Sequence, residues 1–379
     1  MKTIILGAGF TGLAAGIKTG APIYEATDKA GGICNSYIKE GFHFFNGGPH
    51  LLFGRGVGLD YIKSLVPVNE YEKKAGVYYN KMFPYPIQTT AQQPNTANPG
   101  TFKAWVGEKF SQAECNLFFN PFNEKYTAGL YNEVIQYDDY KTPPAGSKGF
   151  VSTFCDPVNG LDDLVEKMAN QCQIKYNKRA VRVDADNKTI ELREYQPNEV
   201  SVDFIQYDKL ISTIPLNQIL SMCGKNDSDL PYTSVLVLNI GAEPDVCTPK
   251  EHWVYTPFCK TNFHRLSFYS NIDPAKAPAG KVNLSVEMAF RNVKYDDLDL
   301  DYICYHVVQE LQSWRFIGKT ITVDPTWVET GYTWLYKKED QTNALAWLKE
   351  RDIISTGRYG KWHFQGLVDS IKDGFEVQI

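Results

Sequence analysis

The chain has 379 residues, with 39 Lys and Arg against 44 Asp and Glu and a formal net charge of -5 at pH 7. Hydrophobic residues make up 43% and charged residues 22%, which excludes a disordered or collagen-like chain. The acidic balance argues against a nucleic-acid binder, which must neutralise phosphates with a basic surface. At roughly 100–200 residues per domain the length holds two or three domains or one interleaved unit. Aromatic residues are 13%, enough for core packing and for a polar, ring-lined cleft.

Residues 2–6 form a short apolar run suited to a buried parallel strand. Gly7-Ala8-Gly9-Phe10-Thr11-Gly12 follows, then helix-compatible residues 13–18, a second strand at 21–24 and the acid Glu25. Gly7 permits the tight turn, Gly9 lets backbone approach a pyrophosphate, and Gly12 lets the helix pack on the sheet. The helix N-terminus would face the phosphates, and Glu25 would accept from the ribose hydroxyls. The spacing predicts a first helix of about two turns. Gly31-Gly32 after Glu25 resembles the extension found in flavoproteins of the glutathione-reductase type, and it favours FAD over NAD. The glycines that interrupt this segment argue against a signal peptide, and no apolar run reaches the ~18 residues of a membrane span.

Residues 42–48 read as a strand entering a Gly-rich loop that continues Pro49-His50-Leu51-Leu52-Phe53. A strand at 77–79 leads to Phe83-Pro84-Tyr85-Pro86-Ile87-Gln88 and then to a turn-rich linker at 92–100. Residues 101–135 carry helical spacing at Phe102, Trp105, Val106, Phe110, Phe118, Phe119, Phe122 and Tyr126. Residues 141–149 read as a loop and 159–170 as a helix that starts at a glycine. Strands are expected at 189–192, 209–214, 234–240, 252–255, 265–269 and 281–289, and a helix at 302–313. Eight scattered cysteines without a C-x-x-C pair read as reduced thiols of a cytoplasmic protein, with no zinc cluster. The pattern is α/β, a Rossmann-like FAD-binding domain with an inserted substrate region.

Several landmarks in order resemble the UDP-galactopyranose mutase family, nearer its eukaryotic-type branch. They are the Gly7–Gly32 fingerprint, the loop at Gly48-Pro49-His50, Tyr85-Pro86-Ile87-Gln88, Pro121-Phe122-Asn123, Trp253-Val254-Tyr255 with Arg265, Gly331-Tyr332 and Gly357-Arg358-Tyr359-Gly360. The resemblance implies a discontinuous FAD domain (1–72, 146–220 and 340–379), a helical domain (100–145) and an antiparallel sheet domain (73–99 and 221–339). It implies an isomerase that interconverts the pyranose and furanose forms of a nucleotide sugar such as UDP-galactose, supplying galactofuranose for cell-surface polysaccharide. The family's reaction needs reduced FAD, which NAD(P)H or another reductant would maintain, and runs through a flavin N5–sugar adduct. No nucleic acid and no membrane span are implied, and a homodimer is left open.

Carried over residue by residue, the resemblance places Gly48, His50, Arg358 and Gly366 at the flavin, with the helix after Gly366 directing its dipole at the pyrimidine edge. It assigns the substrate diphosphate to Arg265 and Tyr332. Tyr85 and Gln88 would hold the base, and Phe53, Asn123, Tyr255 and Asn271 would line the nucleotide cleft. Lys141 stands where the family has a mobile arginine. The chain departs from the family at Pro49, which has a fixed φ and no N–H, and at Ile87, Thr127, Ile272 and Phe364, each replacing an aromatic or hydroxylated residue. Flavin amine oxidases and desaturases share the implied fold and are the competing enzyme class. A non-enzymatic relative of Rab GDP-dissociation inhibitors is the third reading, and the intact glycine motif with Glu25 speaks against it.

Overall fold

The structure is a computed structural model that describes residues 1–87, 100–135, 153–197, 199–226 and 229–379. Gln88 and Lys141 lie outside the described residues.

The fully buried run Thr3–Leu6 is the central strand of a five-stranded parallel sheet. Its neighbours are Lys209–Ser212 on one side and Ile23–Tyr24 on the other, with Ile353–Ser355 and Ile174–Lys175 outside them. The chain therefore returns to this sheet from its far end. The first helix spans Phe10–Thr19, nearly three turns rather than the two expected. Phe10, Thr11 and Gly12 of the glycine motif are already helical, and Gly20 in the left-handed region closes the other end by bonding Gly16 O.

Helices cover both faces of this sheet, the layered solution for parallel strands. Phe10–Thr19, Leu161–Ala169 and Leu367–Phe375 bury Leu13, Leu164, Met168 and Ile371 against one face. Leu216–Met222 and Lys338–Lys349 bury Leu216, Ile219, Ala344 and Leu348 against the other. The helix read at 159–170 forms as Leu161–Ala169 with Gly160 as its N-cap.

A second, seven-stranded sheet runs in the order Ile317–Thr333, Tyr232–Pro244, Val282–Phe290, Arg265–Phe268, Trp253–Tyr255, Ala75–Tyr78 and Met82–Pro84. It is mixed rather than purely antiparallel, because Trp253–Tyr255 pairs in parallel with Ala75–Tyr78. The 17-residue strand Ile317–Thr333 has no counterpart in the sequence reading. Pro325 breaks the strand signature there, and the strand indeed lies at a sheet edge, where a missing N–H costs no ladder bond. Leu284 and Val286 pack one face against helix Leu300–Ser313. Asn283, Ser285 and Glu287 alternate with them and are equally buried, so both faces of the strand are covered.

Helices Phe102–Lys109 and Asn120–Tyr126 and the segment between them pack Phe102, Trp105, Val106, Phe118, Phe119 and Tyr126 in one cluster with Val235 and Val237 of that sheet. A π-helical turn at Cys115–Phe119 joins them. All eight cysteines are free thiols. Among the described residues no helix is long and apolar enough to cross a membrane.

Candidate active site

The glycine loop has the geometry of a dinucleotide cradle. Gly7 takes a φ of 94° and would drive a Cβ to 2.6 Å from Thr213 Oγ1, and a Cβ on Gly12 would meet Gly7 O at 1.9 Å. A Cβ on Gly9 would meet nothing within 4 Å, so that position faces open space at the helix N-terminus. Gly31 and Gly32 also hold positive φ, and Gly31 N donates to Ala8 O at 2.9 Å, which folds this turn back onto the loop. Glu25 is 8% exposed. Its Oε2 accepts from Ala8 N at 2.8 Å and its Oε1 from Thr27 N and Oγ1 at 2.9 and 2.8 Å. A carboxylate offers about four acceptor positions, so Glu25 keeps capacity for a ribose hydroxyl.

From this cradle the chain leads to a cavity of about 340 Å³ where the loop after Phe42–Phe45, the helical segment, the mixed sheet and the last helix meet. His50 lines it beside Gly48, whose φ is 80°. His50 Nδ1 lies 2.8 Å from Gly48 O. A carbonyl only accepts, so Nδ1 carries the proton and Nε2 is the acceptor. Burial pulls its pKa down to about 4, with Arg358 adding to the effect, and the ring stays neutral at pH 7. Arg358 and Gly366 line the same cavity, with Arg358 Nη1 donating to Gln365 O at 3.2 Å. Gly366 is the N-cap of helix Leu367–Phe375, so that helix does present its positive end here.

Arg265, Tyr332 and Glu287 form the polar centre. Arg265 Nε donates to Glu287 Oε1 at 2.8 Å and its Nη2 to Oε2 at 2.7 Å, and the Tyr332 hydroxyl donates to Oε2 at 3.1 Å. Glu287 is 2% exposed. Burial, the largest influence, would raise its pKa, but Arg265, with smaller help from His264 and the Tyr332 hydroxyl, holds the carboxyl below its usual value. Burial, then Glu287, push the Tyr332 phenol well above its ordinary range. Arg265 therefore stands in the cavity with its charge already balanced.

Rings wall the other end. Tyr85 and Tyr255 are 4.7 Å apart between centroids, Phe118 stacks on Phe122 at 5.2 Å, and Phe122 meets Tyr255 edge-on at 5.2 Å. Phe53 and the 5%-exposed Asn123 also line the cavity. Lys73 lines it half-buried, with Nζ 5.8 Å from the Tyr85 centroid; no carboxylate pairs with it among the described residues.

Most of the residues named from sequence thus converge, but Asn271 does not. Its Nδ2 donates to Pro249 O and Glu251 O at 2.9 and 2.7 Å, so the amide ties down a loop instead of lining the cavity. Of the departures from the family pattern, Thr127 is fully buried and bonds Asn123 O at 2.8 Å, whereas Phe364 lines the cavity beneath Arg358 at 4.4 Å. Three residues went unread: Glu287, His264 and Lys73. The one available signal was the acid at Glu287 in the strand Val282–Phe290, and an alternating strand gives no sign that its polar face is buried.

A sequence model of the family described as flavin containing amine oxidoreductase matches residues 97–334. A protoporphyrinogen oxidase of Dictyostelium discoideum is 29% identical over 133 residues, 31% of this chain and 23% of that protein. The chain thus matches under a quarter of the length of that relative. Among solved structures, a reduced UDP-galactopyranose mutase superimposes with a TM-score of 0.84 at 21% identity, covering 99% of this chain and 94% of the other. A putative protoporphyrinogen oxidase from an Exiguobacterium species superimposes with a TM-score of 0.73 at 13% identity, covering 98% and 96%. At these identities the likeness establishes the fold.

Proposed function

The chain belongs to the flavin-containing amine oxidoreductase family, and within it we propose an FAD-dependent mutase that interconverts the pyranose and furanose forms of a nucleotide sugar such as UDP-galactose. The observation that carries this reading is the charge-balanced centre of Arg265, Glu287 and Tyr332 in a cavity otherwise walled by rings. A polyhydroxylated sugar can use the hydrogen-bonding positions this centre has left over, whereas a hydrocarbon-like oxidase substrate would leave those unmet at a cost.

The described residues fit FAD. Open space at Gly9, the tight Gly7–Gly12 turn and the remaining acceptor capacity of Glu25 would hold its dinucleotide. His50, Arg358 and the helix end at Gly366 would hold its ring. Reduced FAD, kept so by NAD(P)H or another reductant, supplies the nucleophile for the anomeric carbon, and the reaction has no net redox change. The protein's own share is placement and charge. Tyr85 and Tyr255 offer ring faces to a base. Arg265 has further N–H donors for a diphosphate, but its charge is offset by Glu287. Among the described residues Lys73 and Arg358 are the other cations that line the cavity, and they would carry the charge of a departing diphosphate.

The aromatic wall and the protoporphyrinogen oxidase similarity favour a second reading, a flavin oxidase or desaturase. UDP-, GDP- and dTDP-hexoses offered to the dithionite-reduced protein separate the two. Furanose product without substrate oxidation supports the mutase, and oxygen uptake driven by an amine or a porphyrinogen selects the oxidase.

A further inference from the structure

We infer that His264 binds the sugar-like part of the ligand by hydrogen-bonding one of its hydroxyls, an inference that rests on the nucleotide-sugar reading above. His264 is 0% exposed and lines the cavity. Its ring packs among Phe122, Tyr126 and Tyr332, with centroids 6.1, 5.5 and 6.1 Å away. These contacts fix the ring and would be served as well by Phe. Its nitrogens are another matter. Neither has a hydrogen-bond partner among the described residues, and the nearest acid oxygen, Glu287 Oε2, is 3.9 Å from Nε2, beyond hydrogen-bond reach. A buried polar atom without a protein partner calls for an explanation, and at the wall of a cavity a ligand group supplies one.

The chemistry of that group follows from the imidazole. Burial keeps the ring neutral, with its pKa pulled down to about 3, so one nitrogen donates and the other accepts. A hydroxyl can meet either nitrogen, donating to the bare one or accepting from the N–H. A phosphate could use only the donor, an ammonium only the acceptor, and a hydrocarbon neither. Two neighbours point the same way. Arg265 and Glu287 cancel each other's charge, so nothing beside His264 demands an ionic group. Ser267 Oγ, 1% exposed and lining the same cavity, is also without a partner among the described residues.

The test is a titration of the flavin-loaded protein with UDP and with UDP-galactose, followed through the flavin spectrum, for wild type, His264→Phe and His264→Gln. Phe keeps the ring packing and removes both nitrogens; Gln restores one donor and one acceptor. The expected result is a loss of roughly 3- to 10-fold in UDP-galactose affinity in His264→Phe, with UDP affinity unchanged and partial recovery in His264→Gln. Equal losses for UDP and UDP-galactose, no loss for either, or release of flavin from His264→Phe would each overturn the inference. If the wild type binds neither ligand, the nucleotide-sugar reading itself falls, and this inference with it.

Discussion

Arg265 and Glu287 stand opposite each other on neighbouring strands and close a two-bonded fork, Nε to Oε1 at 2.8 Å and Nη2 to Oε2 at 2.7 Å. The residue that most resembles a diphosphate clamp is therefore half of an internal ion pair. The Arg265 side chain is 28% exposed and that of Glu287 only 2%, so the acid is the anchored member and the guanidinium faces the cavity.

Glu287→Gln should release the Arg265 charge. UDP or pyrophosphate should then bind roughly tenfold more tightly in a titration read through the flavin. Stability should fall by about 3 kcal/mol, the scale for breaking a buried pair, visible as a lower urea midpoint. Unchanged anion affinity would place Arg265 away from the phosphates.

The glycine loop separates packing from cofactor binding. Gly12→Ala brings a Cβ to 1.9 Å from Gly7 O, so both the fold and flavin retention should suffer. Gly9→Ala meets nothing in the protein within 4 Å. It should leave the urea midpoint of the flavin-free protein unchanged while lowering flavin per chain measured by absorbance. Full flavin content in Gly9→Ala would show that the pyrophosphate does not approach there.

Acid should weaken the fold well above the carboxylate range. Burial holds His50 and His252 at about 4 and His264 at about 3, against about 6.5 in an unfolded chain. Between those values the unfolded state binds protons that the native state refuses, so stability drops as pH falls from about 6.5 towards 4. Glu287, held below its usual value, adds a loss of the same sign at lower pH. Urea midpoints at pH 7.5 and 5 should show the drop, and His264→Phe should make it shallower. Equal midpoints at the two pH values would mean that these rings are not buried neutral.

A second buried pair ties the turn Pro274–Lys276 to the strand Thr153–Pro157. Lys276 Nζ lies 2.7 Å from Asp156 Oδ2, each side chain 6% exposed. Burial raises the Asp156 pKa against the pull of Lys276. Lys276→Ala should cost about 3–5 kcal/mol, because it leaves the acid buried and alone. Lys167→Ala, at the half-exposed bond to Asp163, should cost a small fraction of that. Similar urea midpoints for the two variants would contradict the burial argument.

The cofactor half of the fold was legible because its signals are local. The turn at Gly7 and Gly12, the acid at Glu25 and the cap at Gly160 each follow from neighbouring residues, whereas the cap at Gly366 came from the resemblance. The chemistry of the cavity was less so. Arg265 and Tyr332 were placed by resemblance, but Arg265 meets Glu287 by strand pairing and Tyr332 reaches it across the intervening strand Tyr232–Pro244. Asn283, Ser285 and Glu287 look like the wet side of an ordinary strand until the first domain covers them. Asn271 fits a cleft motif, yet two carbonyls brought near by the fold claim its amide. Strand Glu199–Gln206 alternates cleanly at Val200, Val202 and Phe204 but exposes all three, so alternation alone does not show which face is covered.

The central claim is ring interconversion without net redox, and one assay meets it most directly. UDP-galactopyranose is incubated with the flavin-loaded protein under anaerobic conditions, once oxidised and once reduced with dithionite, and the products are separated by chromatography. The account predicts UDP-galactofuranose from the reduced protein alone, with the flavin still reduced at the end. Reduced protein that binds the nucleotide sugar and forms no furanose, or that turns over only as substrate is oxidised, would contradict it.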